Sequence, residues 1–369
     1  MRVVSWRYFD FWLLGAVAIL TIFGITMIRS AIAGNIELQQ LNLVGRQIIF
    51  AVAGFVVIII TAYIDYHLWA SMSRTLYIGM WILLGVLFTV GAVLFGSARW
   101  FDTGVILIQP SELAKIVMII VLADFFSKNQ ADIQSLTTIL KSLIITMGIV
   151  IWILLQPNLS TSIVILVIWF ALLWASGLRI KHLLMFGVVG AITPVIGFPF
   201  LADYQQKRII NFLFPDPAAR HGDIYNLQQA LISIGSGGWL GQGYGHGSQV
   251  QLRFLKVRHS DFIFSAIAEE FGLIGTIALL ALLIFIIMRC FQIARRANDS
   301  FGALIAYGVA TTIAFQAIVN IGVNLNLLPA TGLTLPFVSY GGSSLLSILL
   351  GIGLVESVAL RQKPLEFSA

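Results

Sequence analysis

The chain is short of charge. Only 10% of its 369 residues are Asp, Glu, Lys or Arg, where a soluble domain carries about 25%. Hydrophobic residues make up 59%. These proportions exclude a water-soluble globular domain and identify a membrane protein. Cysteine is almost missing. The single Cys290 excludes an internal disulfide and a cysteine-based metal site. Its basic flank (Arg289, Arg295, Arg296) places it at a cytoplasmic helix end, as an unreactive thiol. Acidic residues number 16 against 22 basic ones, for a net charge of +6. The basic residues are scattered between apolar runs. They therefore suit orientation in the bilayer and contact with anionic lipid or phosphate, and they do not imply nucleic acid. Several motifs are absent too. There is no Walker loop and no hydrolase elbow. Gly241-Gln242-Gly243-Tyr244-Gly245 lacks the strand–helix context of a dinucleotide loop. His221, His246 and His259 lack metal-ligand spacing. With no internal repeat and no low-complexity tract, residues 1–369 read as one membrane domain.

What is present is a series of long apolar runs. A spanning helix needs about 20 apolar residues. Such runs occur near 10–29, 46–63, 75–95, 105–126, 139–155, 159–176, 182–201, 262–288, 302–325 and 333–357. The expected fold is an all-α polytopic membrane protein of about ten transmembrane helices. Ala31-Ile32-Ala33-Gly34 has the look of a signal-peptidase site. The preceding run is long enough to span, however, so cleavage is not expected. With a cytoplasmic N-terminus, Arg2, Arg7, Arg74, Lys128, Lys141, Arg179, Lys181, Arg289, Arg295, Arg296, Arg361 and Lys363 fall inside. Short outer loops then hold only Arg29, Arg46 and Arg99. Both termini are expected to be cytoplasmic. One connection is long, 202–260, placed outside between spans seven and eight. Long loops usually carry function or their own structure. This one contains an amphipathic piece (208–214), a Pro-Asp-Pro turn and a glycine-rich segment (234–245).

The candidate site centres on Arg258-His259-Ser260-Asp261-Phe262, where that loop re-enters the membrane as a helix. Ser260 and Asp261 are good helix caps. Asp261 also suits a general base at the membrane–water interface, near Lys256, Arg258 and His259. Glu269 and Glu270 follow on the same helix and splay by about 100°. Carboxylates at that depth are paired or functional, and here they read as a fixed polar frame. Glu112 and Lys115 share one face of the fourth span. They form either a self-neutralising pair or a pair whose Lys115 also faces a cavity shared with the eighth span. Arg99-Trp100 is an interfacial anchor or a phosphate ligand. The last outer loop, 324–344, carries Pro329, Pro336 and the break Ser339-Tyr340-Gly341-Gly342-Ser343-Ser344. Broken backbone at membrane depth is tolerated where it lines a cavity or is buried in protein. Ser339 and Tyr340 are therefore candidate substrate contacts. An aspartate, a ring of basic groups (Arg99, Arg208, Lys256, Arg258) and a cavity on the outer face suit a transferase that uses a lipid-linked phosphate donor. A flippase or carrier of the same precursor is the alternative, and a non-catalytic scaffold is a third. A carrier needs a polar path to the cytoplasmic face, whereas the polar breaks here cluster outside.

These residues resemble the SEDS family (shape, elongation, division and sporulation). The matching motifs are Arg99-Trp100, the 109–115 run from Gln109-Pro110-Ser111-Glu112 to Lys115, Gln156-Pro157-Asn158, Arg208-Ile209, Gln228-Gln229-Ala230, Gly235-Ser236-Gly237-Gly238, His259-Ser260-Asp261-Phe262, Ala268-Glu269-Glu270-Phe271-Gly272 and the stretch 328–344. The resemblance implies a peptidoglycan glycosyltransferase in the bacterial cytoplasmic membrane, polymerising lipid II on the outer face. It implies a class B penicillin-binding protein as partner. The family's essential aspartate falls on Asp261, its Glu–Lys pair on Glu112 and Lys115, and its Arg–Trp pair on Arg99 and Trp100. Three positions depart from the family pattern: Asn158 replaces a usual aspartate, Ser160 a usual glycine, and Ser260 a usual threonine, the last keeping the hydroxyl. The metal is unspecified; a divalent cation, Mg or Mn, is left open. The short N-terminus and the lack of an extended tail lean towards the family's elongation branch.

Overall fold

The computed structural model describes residues 6–33, 40–90, 92–94, 97–102, 107–215, 222–252, 254–255 and 259–362. The chain is predominantly helical, and each of the ten apolar runs coincides over most of its length with a helix. These are α1 (Phe11–Ile32), α2 (Leu43–Tyr63), α4 (Ser73–Val90), α5 (Pro110–Lys128), α6 (Leu136–Leu155), α7 (Leu159–Ala175), α8 (Ile180–Gly197), α12 (Ile263–Arg296), α13 (Ser300–Asn324) and α14 (Gly342–Ala359). Short helices lie between them: α3 (Tyr66–Ser71), α9 (Asp203–Leu213), α10 (Gly222–Ser236) and α11 (Ser248–Gln251). Six of the helices, α1, α2, α6, α12, α13 and α14, are long and apolar enough to cross a bilayer by length and composition alone.

Polar residues punctuate the apolar runs. Asp10 accepts from Leu13 N at the start of α1. Ser135 caps α6, Asn158 caps α7 and Asp299 caps α13 through their side-chain oxygens. Each satisfies an otherwise orphaned amide of the first turn. Pro110 occupies the first turn of α5, where its missing N–H costs nothing.

Three expectations need correction. The fold is not purely α. Three short strands, β1 (Ala92–Leu94), β2 (Ser97–Asp102) and β3 (Leu107–Ile108), form an antiparallel sheet in the order β1-β2-β3. Ala92 faces Trp100 and Phe101 faces Ile108 across it. The apolar residues 92–94 and 107–108 therefore belong to strands, and the flanking helices end at Val90 and begin at Pro110. The last helix starts at Gly342, not near 333. Leu333, Leu335, Phe337 and Val338 are buried all the same, at 6% exposure or less, so hydropathy alone cannot tell this buried loop from a helix. Finally, Cys290 lies inside α12 and is fully buried, not at a helix end.

α12 is continuous only in outline. Gly272 has φ 63° and ψ −162°, a conformation open to glycine alone, and it splits the helix. The glycine-rich segment repairs the break from outside. Gln242 N and Gly243 N donate to the carbonyls of Glu269 and Glu270 at 2.9 Å each, and Leu273 N and Ile274 N donate to Gly238 O and Trp239 O at 2.9 and 3.2 Å. Backbone must approach backbone closely for this. A Cβ on Gly241 (φ 80°) would lie 2.2 Å from Glu270 O. The segment below the break, 273–296, is itself long enough to span. The first two turns of α12 form a separate piece that carries Glu269 and Glu270 on top of it.

Candidate functional site

Asp261 lies in the turn that precedes α12 and is partly exposed. The capping role expected of Ser260 and Asp261 falls elsewhere. The N-cap residue is Phe262, which offers no side-chain cap. Asn324, at the end of α13, supplies it instead. Its Oδ1 accepts from Ser265 N at 3.1 Å and Ser265 Oγ at 2.7 Å. The Asn324 amide nitrogen donates to Asp261 O at 3.0 Å, and that of Asn320 to the same carbonyl at 3.1 Å. Asn320 also donates to Leu333 O at 2.7 Å. Two buried asparagines one turn apart thus hold the Asp261 backbone, the start of α12 and the loop between α13 and α14 as one unit.

That loop wraps the site. Ser339 Oγ donates to Ser260 O at 2.7 Å and accepts from Leu335 N at 2.9 Å. Tyr340 N donates to His259 O at 2.9 Å, and the Tyr340 and His259 rings stand 5.7 Å apart. Gln47 of α2 ties the far side, donating to Ser339 O and accepting from Gly341 N, both at 3.3 Å. Burial pushes the Tyr340 phenol above its ordinary range, against the pull of the Arg46 charge. Phe337 adopts φ 65° while buried at 3%. A bulky residue pays strain for that backbone, so the loop is shaped by its surroundings.

The segment 330–332 is where separate elements meet. A Cβ on Gly332 would sit 3.8 Å from Asp261 Oδ2. Arg208 of α9 donates to Ala330 O at 3.3 Å, and Ser160 of α7 donates to Thr331 O at 2.5 Å. A carboxylate and a guanidinium therefore border the same three residues. Arg208 also lies over the Tyr204 ring, 5.8 Å from its centroid. Tyr204 in turn accepts from Arg99 Nη2 at 3.1 Å. Arg99, on β2, donates to Gln156 O at 3.1 Å and to Pro157 O. It braces the α6–α7 turn, and Trp100 beside it is half-buried on the same strand. Lys256 and Arg258 lie outside the described residues.

The remaining candidates have defined places. Lys115 Nζ meets Glu112 Oε2 at 2.8 Å, with Lys115 2% and Glu112 7% exposed. This is the self-neutralising pair, and the expectation that Lys115 also opens to a shared cavity gives way to full burial. Glu269 accepts from Ser248 Oγ, Gln249 N and Val250 N at 3.2, 2.7 and 3.3 Å. Glu270 accepts from Ser30 Oγ of α1. Both act as a frame that fixes the long loop and α1 to the broken helix. Asn158, where the family pattern has a carboxylate, accepts from Thr161 N and donates to Ser111 Oγ, both at 3.3 Å. Sequence reasoning missed Asn320 and Asn324. The signal was there: two amides at i, i+4 in an apolar run, on one helix face. Among the described residues no three His, Cys, Asp or Glu side chains cluster as a metal site.

Comparison with known proteins adds to this geometry. A family model described as "Cell cycle protein" and labelled for FtsW, RodA and SpoVE matches residues 11–364. The chain is 37% identical over 336 residues to peptidoglycan glycosyltransferase MrdB of Escherichia coli K12, covering 89% of each. It is 35% identical over 385 residues to a probable peptidoglycan glycosyltransferase FtsW of Hydrogenovibrio crunogenus, covering 100% of this chain and 98% of the relative. Among solved structures, a chain from a peptidoglycan synthase complex described as coordinating polymerization and crosslinking aligns with a TM-score of 0.81 at 29% identity, over 95% of this chain and 97% of that one. Rod shape determining protein RodA of Thermus thermophilus aligns with a TM-score of 0.72 at 29% identity, over 97% and 99%.

Proposed function

This chain belongs to the FtsW/RodA/SpoVE family of cell cycle proteins, and on that premise we propose that it is a peptidoglycan glycosyltransferase that polymerises lipid II. It is a multi-pass membrane enzyme of cell-wall synthesis. In the finer reading, ten helices span the bacterial cytoplasmic membrane, both termini are cytoplasmic, and the 202–260 connection and Asp261 face outward. A class B penicillin-binding protein is the partner that cross-links the product. The role is in elongation.

The observation that carries the site assignment is the meeting at 330–332. Asp261 and Arg208 border one short segment from two sides. The Asp261 main chain is clamped by Asn320 and Asn324. A group held in this way loses little freedom when the substrate arrives.

The reaction is an inverting transfer. Asp261 accepts the proton of the acceptor sugar's hydroxyl. The hydroxyl oxygen bonds to the donor's anomeric carbon as the bond from that carbon to pyrophosphate breaks. The departing lipid pyrophosphate carries the negative charge, and Arg208 and Arg258 are the cations assigned to it. Guanidinium suits this task because its planar fork bonds phosphate oxygens in pairs. Lys115 is committed to Glu112. Arg99 is committed to main-chain carbonyls and acts on the site by positioning Tyr204 beneath Arg208. The test is polymerisation of purified lipid II by the purified chain, with and without a class B penicillin-binding protein, read as glycan length on a gel. Glycan strands are expected. Intact lipid II under both conditions overturns the assignment.

A further inference from the structure

The end of the bundle opposite Asp261 holds a cavity of about 360 Å³ between the start of α1, the end of α12 and the end of α14. Arg7, Asp10, Trp12, Arg289, Arg296 and Gln362 are among its lining residues. Below the break at Gly272, residues 273–296 of α12 give roughly 36 Å of helix. That length separates the cavity from the Asp261 end by about the thickness of the hydrocarbon core. The cavity therefore sits at the headgroup level of the other leaflet.

Its charges do not cancel. Arg289 holds Asp10 Oδ2 through Nε at 2.8 Å and Nη2 at 2.5 Å, and donates from Nη1 to Gln292 Oε1 at 3.1 Å. The one acid in the lining is thereby spent, and Asp10 N is taken by the buried Glu356 carboxylate at 3.0 Å. Arg7 and Arg296 are exposed, and neither has an ion-pair partner among the described residues. Two further features distinguish this cavity from a solvated basic patch. It is concave, and its rim carries Phe11 and Trp12, 64% and 75% exposed at the first turn of α1. Aromatic side chains at that level mark the membrane–water interface.

We propose that this cavity binds the phosphodiester headgroup of an anionic phospholipid from the leaflet opposite Asp261. Arg7 and Arg296 are its phosphate ligands, and Phe11 and Trp12 pack on the upper acyl chains. Arg289 stays with Asp10 and shapes the floor. The inference rests on the topology given under the proposed function only in naming this the cytoplasmic leaflet. Cytoplasmic basic pockets between helices are suited to such headgroups.

The test is native mass spectrometry of the full chain in detergent. It is titrated with phosphatidylglycerol, cardiolipin and phosphatidylcholine of matched acyl chains, with and without millimolar inorganic phosphate. The anionic lipids are expected to bind in preference to phosphatidylcholine and to resist competition by phosphate. Arg7→Gln/Arg296→Gln lowers their affinity at least about tenfold, while Arg74→Gln/Arg179→Gln, two exposed arginines outside the cavity, leaves it within about twofold. Equal losses in both double variants, no headgroup preference, or displacement by phosphate overturns the proposal. Lipid II polymerisation is measured on the same samples. A chain that binds anionic lipid but makes no glycan fails the proposed function and leaves this site standing.

Discussion

At the residue scale, the site depends on amides rather than on further charges. Asn324 serves two helices at once: its oxygen caps α12 through Ser265, and its nitrogen holds the Asp261 carbonyl. The Ser265 amide is buried beside it and the Asp261 carbonyl part-buried. Asn324→Ala leaves a first-turn amide and a carbonyl with one partner fewer, at a cost of about 1–3 kcal/mol. Asn324→Asp keeps the acceptor for Ser265, removes the donor to the carbonyls of Asp261 and Asn320, and buries a carboxyl group against them. Polymerisation and thermal stability in detergent are expected to fall in both variants, the aspartate variant through the buried charge it introduces. If Asn324→Asp is as active as the parent, the clamp on Asp261 has no part in turnover. The sequence made Asp261 visible through its position at a helix start among basic residues. It could not show that the cap comes from Asn324, because those two residues are brought together only by the packing of α13 on α12. Asp261 and Ser260 are good caps by type, and propensity pointed to them while tertiary contact decided otherwise.

At the element scale, α12 and the glycine-rich segment work as one structure. The segment's amides and carbonyls complete the hydrogen bonds that Gly272 interrupts. Gly241→Ala places a methyl group 2.2 Å from Glu270 O at a residue with φ 80°. It is expected to destabilise the protein by more than about 1 kcal/mol, read as lost thermal stability. Gly235→Ala, whose added Cβ meets nothing within 4 Å, is expected to be mild by comparison. Equal effects would contradict the close-approach account. The run of glycines was legible as a tight turn. What it turns against was not, since its partners, Glu269 and Glu270, lie some thirty residues later. The pair of glutamates makes sense on the same terms. One ties the chain before α12 through residues 248–250 and the other ties α1 through Ser30. The helical runs themselves were legible because apolar length is a strong signal. Their ends near 95, 105 and 333 were not, because strands and a buried loop are as apolar as helices.

At the scale of the whole molecule, the polar features separate into two ends. Asp261, Arg208, the broken helix and the α13–α14 loop lie at one end, and the Arg7–Arg296 cavity lies at the other. In the proposed topology the first end faces outward. A Trp239→Cys chain, altered at an exposed position on the glycine-rich segment, is expected to react with an impermeant maleimide in intact cells. Arg296→Cys is expected to react only after permeabilisation. Cys290, fully buried, stays silent in both as the native background. Reversed labelling would place Asp261 on the wrong side for a substrate displayed outside. The central claim is that this outward site transfers sugar with Asp261 as its base. A general base contributes about 10²–10⁴-fold. The most direct measurement is the rate of lipid II polymerisation by purified Asp261→Asn beside the parent, with both shown to be folded to the same melting temperature. The account predicts a loss of at least about a hundredfold. Glycan synthesis by Asp261→Asn at the parent rate would contradict it.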